Sequence, residues 1–174
     1  MIDEEKNMFR YLIPIAIIIT TIQIFSQDYK IIPDEKTGEP LILGYCPVSE
    51  MNDSVFNNTW SEEFKNYQPD YETLDRLEGK LDQIIITIVF RSTCSDSREQ
   101  LPRLFKILSE LNYDLNSITL IGVDREKKGL SNEAEGLEIE FVPTIIFYKD
   151  GSEIGRIVET PAESLEKDLL KMIF

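Results

Sequence analysis

At 174 residues the chain is long enough for one well-buried core and a modest extension, and short for two full domains. Its composition, 42% hydrophobic and 29% charged, is that of an ordinary globular protein, and a formal net charge of −14 with no Lys/Arg cluster sets nucleic-acid binding aside. There is no histidine, which removes serine–histidine and cysteine–histidine catalysis and any imidazole zinc site. The two cysteines, Cys46 and Cys94, are too few for structural zinc or a dense disulfide framework. No metal or cofactor is indicated; what remains is thiol chemistry, carboxylate chemistry or plain binding.

At the amino terminus, Lys6 and Arg10 precede an apolar run from Tyr11 to Phe25 that ends at Ser26-Gln27. A basic flank, an apolar stretch and a small residue at its end match a secretory signal peptide, residues 1–27, with cleavage near Gln27. The run is short for a spanning helix, which needs about 20 apolar residues. The rival reading is an uncleaved membrane anchor, which Thr20, Thr21 and Gln23 make less comfortable in hydrocarbon. Both readings put the domain in a periplasmic or other extracytoplasmic compartment, where disulfides form and persist.

Residues 28–80 are rich in Asp, Glu, Asn, Pro and aromatics, with weak periodicity. Leu41 to Tyr45 has the character of a short strand. Ser61 followed by acids resembles a helix start, and Pro69-Asp70 opens a second helical stretch with Tyr71, Leu74 and Leu77 at helical spacing. This region is expected to be an N-terminal extension packed on a main domain through Trp60, Phe64, Tyr67 and Tyr71.

From residue 81 the signals sharpen. Ile84 to Phe90 is a nearly continuous β-branched run, as in a strand buried on both faces. A short polar stretch leads into a helix whose apolar face is Leu101, Leu104, Phe105, Leu108 and Leu111. A second buried strand follows at Ile118–Val123, so strand, helix and strand form a parallel crossover unit. Two strand-like runs, from Thr144 to Tyr148 and from Glu153 to Val158, flank Lys149-Asp150-Gly151-Ser152, a hairpin signal. Thr160-Pro161-Ala162-Glu163 has the spacing of a capping box and is expected to open the last helix. The order β-α-β, then β-β-α, predicts an α/β three-layer domain over residues 81–174.

This order resembles the thioredoxin family. Cys94 directly follows the first core strand, Pro102 lies eight residues later inside the helix, and Val142-Pro143-Thr144 enters the hairpin where the family carries a cis-proline. Cys94-Ser95-Asp96-Ser97, with Glu99, Pro102 and the stretch Gly122–Lys128, is also similar to exported bacterial thioredoxin-like proteins with a single active-site cysteine. The departures are specific. Ser97 stands where the family has its second cysteine, Thr93 where an aromatic usually precedes the first, and Ile88 where many members bury an acid. The resemblance therefore implies the three-layer thioredoxin-like fold without an autonomous dithiol cycle.

A thiol is nucleophilic as thiolate, and a helix N-terminus favours the anion through its dipole and unpaired N–H groups. Ser97, one turn on, is placed to donate a hydrogen bond to the Cys94 sulfur; Arg91 and Arg98 lie nearby, and Asp96 opposes them. A lone Cys94 can attack a substrate disulfide and form a mixed disulfide. Release then needs a second substrate thiol, a small thiol such as glutathione, or Cys46 as a resolving or disulfide partner. The expected partners are thus protein thiols and disulfides or a small thiol reductant. The residue before Pro143, Val142, is expected to pair with a bound peptide as an added strand.

Each residue also has a plainer reading: Cys94 as a small buried hydrophobe, Ser97 as a helix cap, Pro143 as a trans strand-entry proline. The alternative function is accordingly a redox-inactive peptide-binding or scaffold module. A peroxidase of peroxiredoxin type is remote, because its threonine three residues before the cysteine is here Arg91.

Overall fold

The computed structural model describes residues 28–174, so the signal-peptide expectation for residues 1–27 lies outside the described residues. In chain order the elements are β1 (Tyr29–Pro33), β2 (Pro40–Cys46), α1 (Trp60–Asn66), α2 (Tyr71–Leu77), β3 (Ile84–Phe90), α3 (Ser95–Glu110), β4 (Thr119–Gly122), β5 (Thr144–Lys149), β6 (Ser152–Val158) and α4 (Leu165–Ile173). The strands form one sheet in the order β1-β2-β4-β3-β5-β6. β3 lies at its centre, parallel to β4 and antiparallel to β5. That position explains most of the apolar run: Ile86, Ile88, Val89 and Phe90 are fully buried, whereas Ile85, expected to be buried on the second face, is exposed near the start of the strand.

The pleat of β3 divides the interior. Ile84, Ile86, Ile88 and Phe90 join a core shared with all four helices, including Leu101, Leu104, Phe105 and Leu108 of α3 and Leu165 and Leu169 of α4. Val89 joins Ile121, Val123 and Val142 in a second cluster, against which Cys94, Ala134, Leu137 and Ile139 pack. The cover there comes from the irregular segment 124–141, which has no helix of its own. Helices, sheet and this segment make the layers of a mixed α/β architecture compatible with a thioredoxin-like fold.

Residues 28–80 do more than pack on a finished domain, because they supply β1 and β2 of the sheet and two of the four helices. β2 pairs with β4 so closely that a Cβ on Gly122 would meet the Ile42 carbonyl oxygen at 2.4 Å; only glycine fits. Trp60 carries α1 into the core, its ring 5.1 Å from Phe105 of α3 and 5.0 Å from Phe56. Phe64 and Tyr67 pack against the same core. Tyr71 does not: it is half exposed, and Leu74 and Leu77 are the residues that α2 buries. Glu166 of α4 is buried, yet it accepts from the Tyr67 hydroxyl at 2.8 Å and the Asp70 N–H at 2.8 Å, tying the amino-terminal helices to the last one.

Two local readings need adjustment. α1 begins one residue before Ser61, with Thr59 as its N-cap. The final helix begins at Leu165 rather than within Thr160–Glu163, and Ser164 caps it by accepting from Lys167 N–H at 3.3 Å. The reason is Asp168, whose carboxylate folds back to accept from Ala162 and Glu163 N–H and fixes that stretch as a turn. At the hairpin, Asp150 and Gly151 both take positive φ, 51° and 77°, as a two-residue turn between strands of right-handed twist requires.

Candidate functional site

The register of the central strands builds the site. Val89 near the end of β3 pairs with Thr144 at the start of β5, so the chain leaving β3 toward Cys94 runs beside the chain arriving from Val142. Cys94 is the N-cap of α3, with extended backbone (φ −89°, ψ 133°). Its N–H donates to Arg91 O at 2.9 Å, and its carbonyl accepts from Arg98 N–H at 3.0 Å. The side chain does not cap the helix; the thiol donates to Val142 O at 3.4 Å. Cys94 is half-buried, at the rim of the second cluster.

The Val142–Pro143 peptide bond is cis, and the Val142 side chain is buried beside Val89 and Ile121. Val142 N–H has no partner among the described residues, and Phe141 next to it is half exposed. Thr144 closes the turn by donating its hydroxyl to Phe141 O at 2.7 Å.

Ser97 is near in sequence but is not bonded to the sulfur. It is fully buried, and its oxygen accepts from Arg91 N–H at 3.4 Å, joining the first turn of α3 to the loop before it. Arg98 is likewise committed elsewhere, donating to Ser92 O at 2.9 Å and pairing with Glu39 at 2.9 Å. Among the described residues Arg91 has no ion pair, and its buried Nε has no hydrogen-bond partner.

Cys46 and Cys94 are both free. Cys46 is fully buried on β2, in the helix-side core, whereas Cys94 packs on the cluster of the opposite face. Burial, and secondarily the charge of Glu50, pushes the Cys46 thiol up to about 12. A thiol held neutral in the core is suited to packing and not to resolving a mixed disulfide.

Sequence reasoning missed the partners that the β1–β2 hairpin brings to this loop. Asp34 is buried and accepts from Lys36 and Thr37 N–H at 3.0 Å each, from Arg125 at 3.1 Å and from the Thr93 hydroxyl at 3.2 Å. Burial pushes its carboxyl up, but the Thr37 and Lys36 N–H groups and the Arg125 guanidinium outweigh that and hold it well below the usual carboxylate range. Ser92, also fully buried, donates to Pro40 O at 2.8 Å and accepts from Ile42 N–H at 3.2 Å. One signal was present in the sequence: Pro33-Asp34-Glu35-Lys36-Thr37-Gly38 between two apolar runs is turn chemistry, and it marks a hairpin.

No group of His, Cys, Asp or Glu among the described residues is arranged to hold a metal ion. No family model matches the chain. Mitochondrial thioredoxin O1 of Arabidopsis thaliana is 32% identical over 68 residues, which is 39% of this chain and 34% of that protein. The chain thus spans about a third of the length of the curated relative it matches. Among solved structures, a Pseudomonas aeruginosa protein of unknown function superposes with a TM-score of 0.51 at 16% identity, over 73% of this chain and 90% of that one. These likenesses support a thioredoxin-like class at the level of the fold.

Proposed function

We propose that this is an exported thioredoxin-like protein that exchanges thiols and disulfides through Cys94 alone, as a monothiol reductase or in an isomerase-like cycle. The observation that carries the reading is the Cys94 thiol at the mouth of α3, 3.4 Å from the Val142 carbonyl and only half-buried. The limited similarity to a plant mitochondrial thioredoxin supports the same class of chemistry.

In the proposed step the Cys94 thiolate attacks one sulfur of a substrate disulfide. The substrate S–S bond breaks, a new bond to Cys94 forms, and the other substrate sulfur leaves as thiolate with the electron pair. Ser97 cannot resolve this adduct, because a hydroxyl is no thiol, and Cys46 is sealed in the core. A second thiol attacks the mixed disulfide instead. If it belongs to the same substrate, the disulfide is rearranged with no net redox change; if it is a small thiol, the substrate is reduced after two such thiols are oxidised. The unpaired Val142 N–H and the exposed Phe141 ring offer a substrate peptide one strand-like hydrogen bond and one apolar contact. The apolar run of residues 11–25 and the oxidising compartment that disulfide substrates require support export.

A redox-inactive peptide-binding module is the second reading, favoured by the same Val142 and Phe141 surface, which works without a sulfur. Intact-mass analysis with peptide mapping, after incubation with a peptide disulfide, separates the two. The thiol reading expects one adduct, on Cys94, that persists until a small thiol is added. An unmodified Cys94 in folded protein overturns it.

A further inference from the structure

The two oxygens of the buried Asp34 carboxylate have separate duties. Oδ1 takes the Lys36 and Thr37 N–H groups, the Thr37 hydroxyl and Arg125, which together shape the hairpin turn and pin the segment after β4. Oδ2 receives one bond, from the hydroxyl of Thr93, the residue immediately before Cys94. The neighbours are held from the same hairpin: Ser92 by Pro40 and Ile42, and Arg98 by Glu39. The loop on both sides of Cys94 is therefore fastened to residues 34–42, while the Cys94 side chain reaches the other way, to Val142.

We propose that Asp34 is a positioning residue of the Cys94 site: through its bond to Thr93 it holds the thiol in line with a peptide disulfide docked at Val142. The inference rests on the reading of Cys94 as a reactive thiol. It assigns the amino-terminal hairpin a part in the reaction. A small disulfide is not held at Val142 and gains little from this alignment. A peptide fixed at Val142 presents its S–S bond along one line, so misalignment of the thiol is felt there.

Thr93→Val isolates the link, because it removes the hydroxyl at nearly constant shape and leaves every Oδ1 bond in place. The full chain is allowed to exchange with a cystine-bridged linear peptide and, separately, with dipyridyl disulfide, and modification of Cys94 is followed by mass spectrometry. Thr93→Val is expected to slow peptide exchange about tenfold relative to dipyridyl exchange, as loss of one charge-assisted hydrogen bond allows. Thr93→Ser, which keeps the hydroxyl, is expected to restore the ratio. Thr93→Ala stands in should valine distort the loop. If Thr93→Val or Thr93→Ala folds and the ratio equals that of the parent, or if Thr93→Ser leaves it depressed, the positioning role is overturned. Failure of both apolar variants to fold overturns it as well, since the bond would then be a structural one. If the parent Cys94 is inert toward dipyridyl disulfide, it is the thiol reading that fails.

Discussion

The thiol of Cys94 donates to the carbonyl of Val142 at 3.4 Å, across 48 positions of sequence. The bond joins the first turn of α3 to the entry of β5, and the antiparallel register of β3 and β5 brings the two together. A partly buried thiol and the backbone entering β5 thus share one small surface.

Native-state thiol labelling should separate the two cysteines. Cys94 is only partly buried, whereas Cys46 is sealed and its thiol is pushed up to about 12 by burial. Iodoacetamide at neutral pH is expected to modify Cys94 and to spare Cys46 until denaturant is added. Peptide mapping reads the outcome, and rapid native labelling of Cys46 would contradict the packing described.

The buried Asp34 makes a pH prediction whose sign is fixed. Its carboxyl lies below the unfolded value in the folded protein, so its contribution to stability is complete above the unfolded pKa, about 3.9, and is lost as pH falls through the folded value. The stability gap between the parent and Asp34→Asn should therefore be constant from neutrality down to about pH 5 and shrink below it. Urea melts across that range give the gap, and one that widens toward acid would contradict the assignment.

Gly122→Ala tests the contact between β2 and β4. The added methyl would meet backbone, the Ile42 carbonyl oxygen at 2.4 Å, which no side-chain rotation relieves. A loss of about 1–3 kcal/mol is expected in urea denaturation, and more if the strands must separate. An unchanged midpoint would show that the strands are not so closely paired.

Glu166 and Tyr67 should be energetically coupled. Removing the Tyr67 hydroxyl leaves a buried carboxylate short of one of its two donors, which costs about 1–3 kcal/mol. In a double-mutant cycle, Tyr67→Phe should cost measurably less once Glu166→Gln is present. Simple additivity would mean the bond holds nothing.

Much of this architecture is legible in the chain. The run Ile84–Phe90 reads as a central strand and its last three residues are buried on both faces, although Ile85 at its start is exposed; Asp150-Gly151 reads as a two-residue hairpin because both residues tolerate positive φ. Cys94 and Val142 stand out in the sequence through the thioredoxin resemblance, as the cysteine that follows the first core strand and the residue before Pro143. What escaped are contacts between segments far apart in sequence. Nothing local in Asp34 shows that one carboxylate oxygen will receive Thr93, or in Glu166 that it will be buried under Tyr67. Ser97 shows the converse: spacing placed it one turn from the sulfur, but its burial turned the hydroxyl to Arg91 N–H. Periodicity reports which face of an element is buried; it carries no record of the polar partner waiting there.

The most direct test of the account is the rate at which the folded protein exchanges with an unstructured peptide disulfide at neutral pH, compared with a short peptide carrying one free cysteine. The account predicts that Cys94 reacts faster than the free-cysteine peptide and accumulates as a mixed disulfide, and that Cys94→Ser abolishes the adduct. A folded protein whose Cys94 exchanges no faster than the free-cysteine peptide would contradict it.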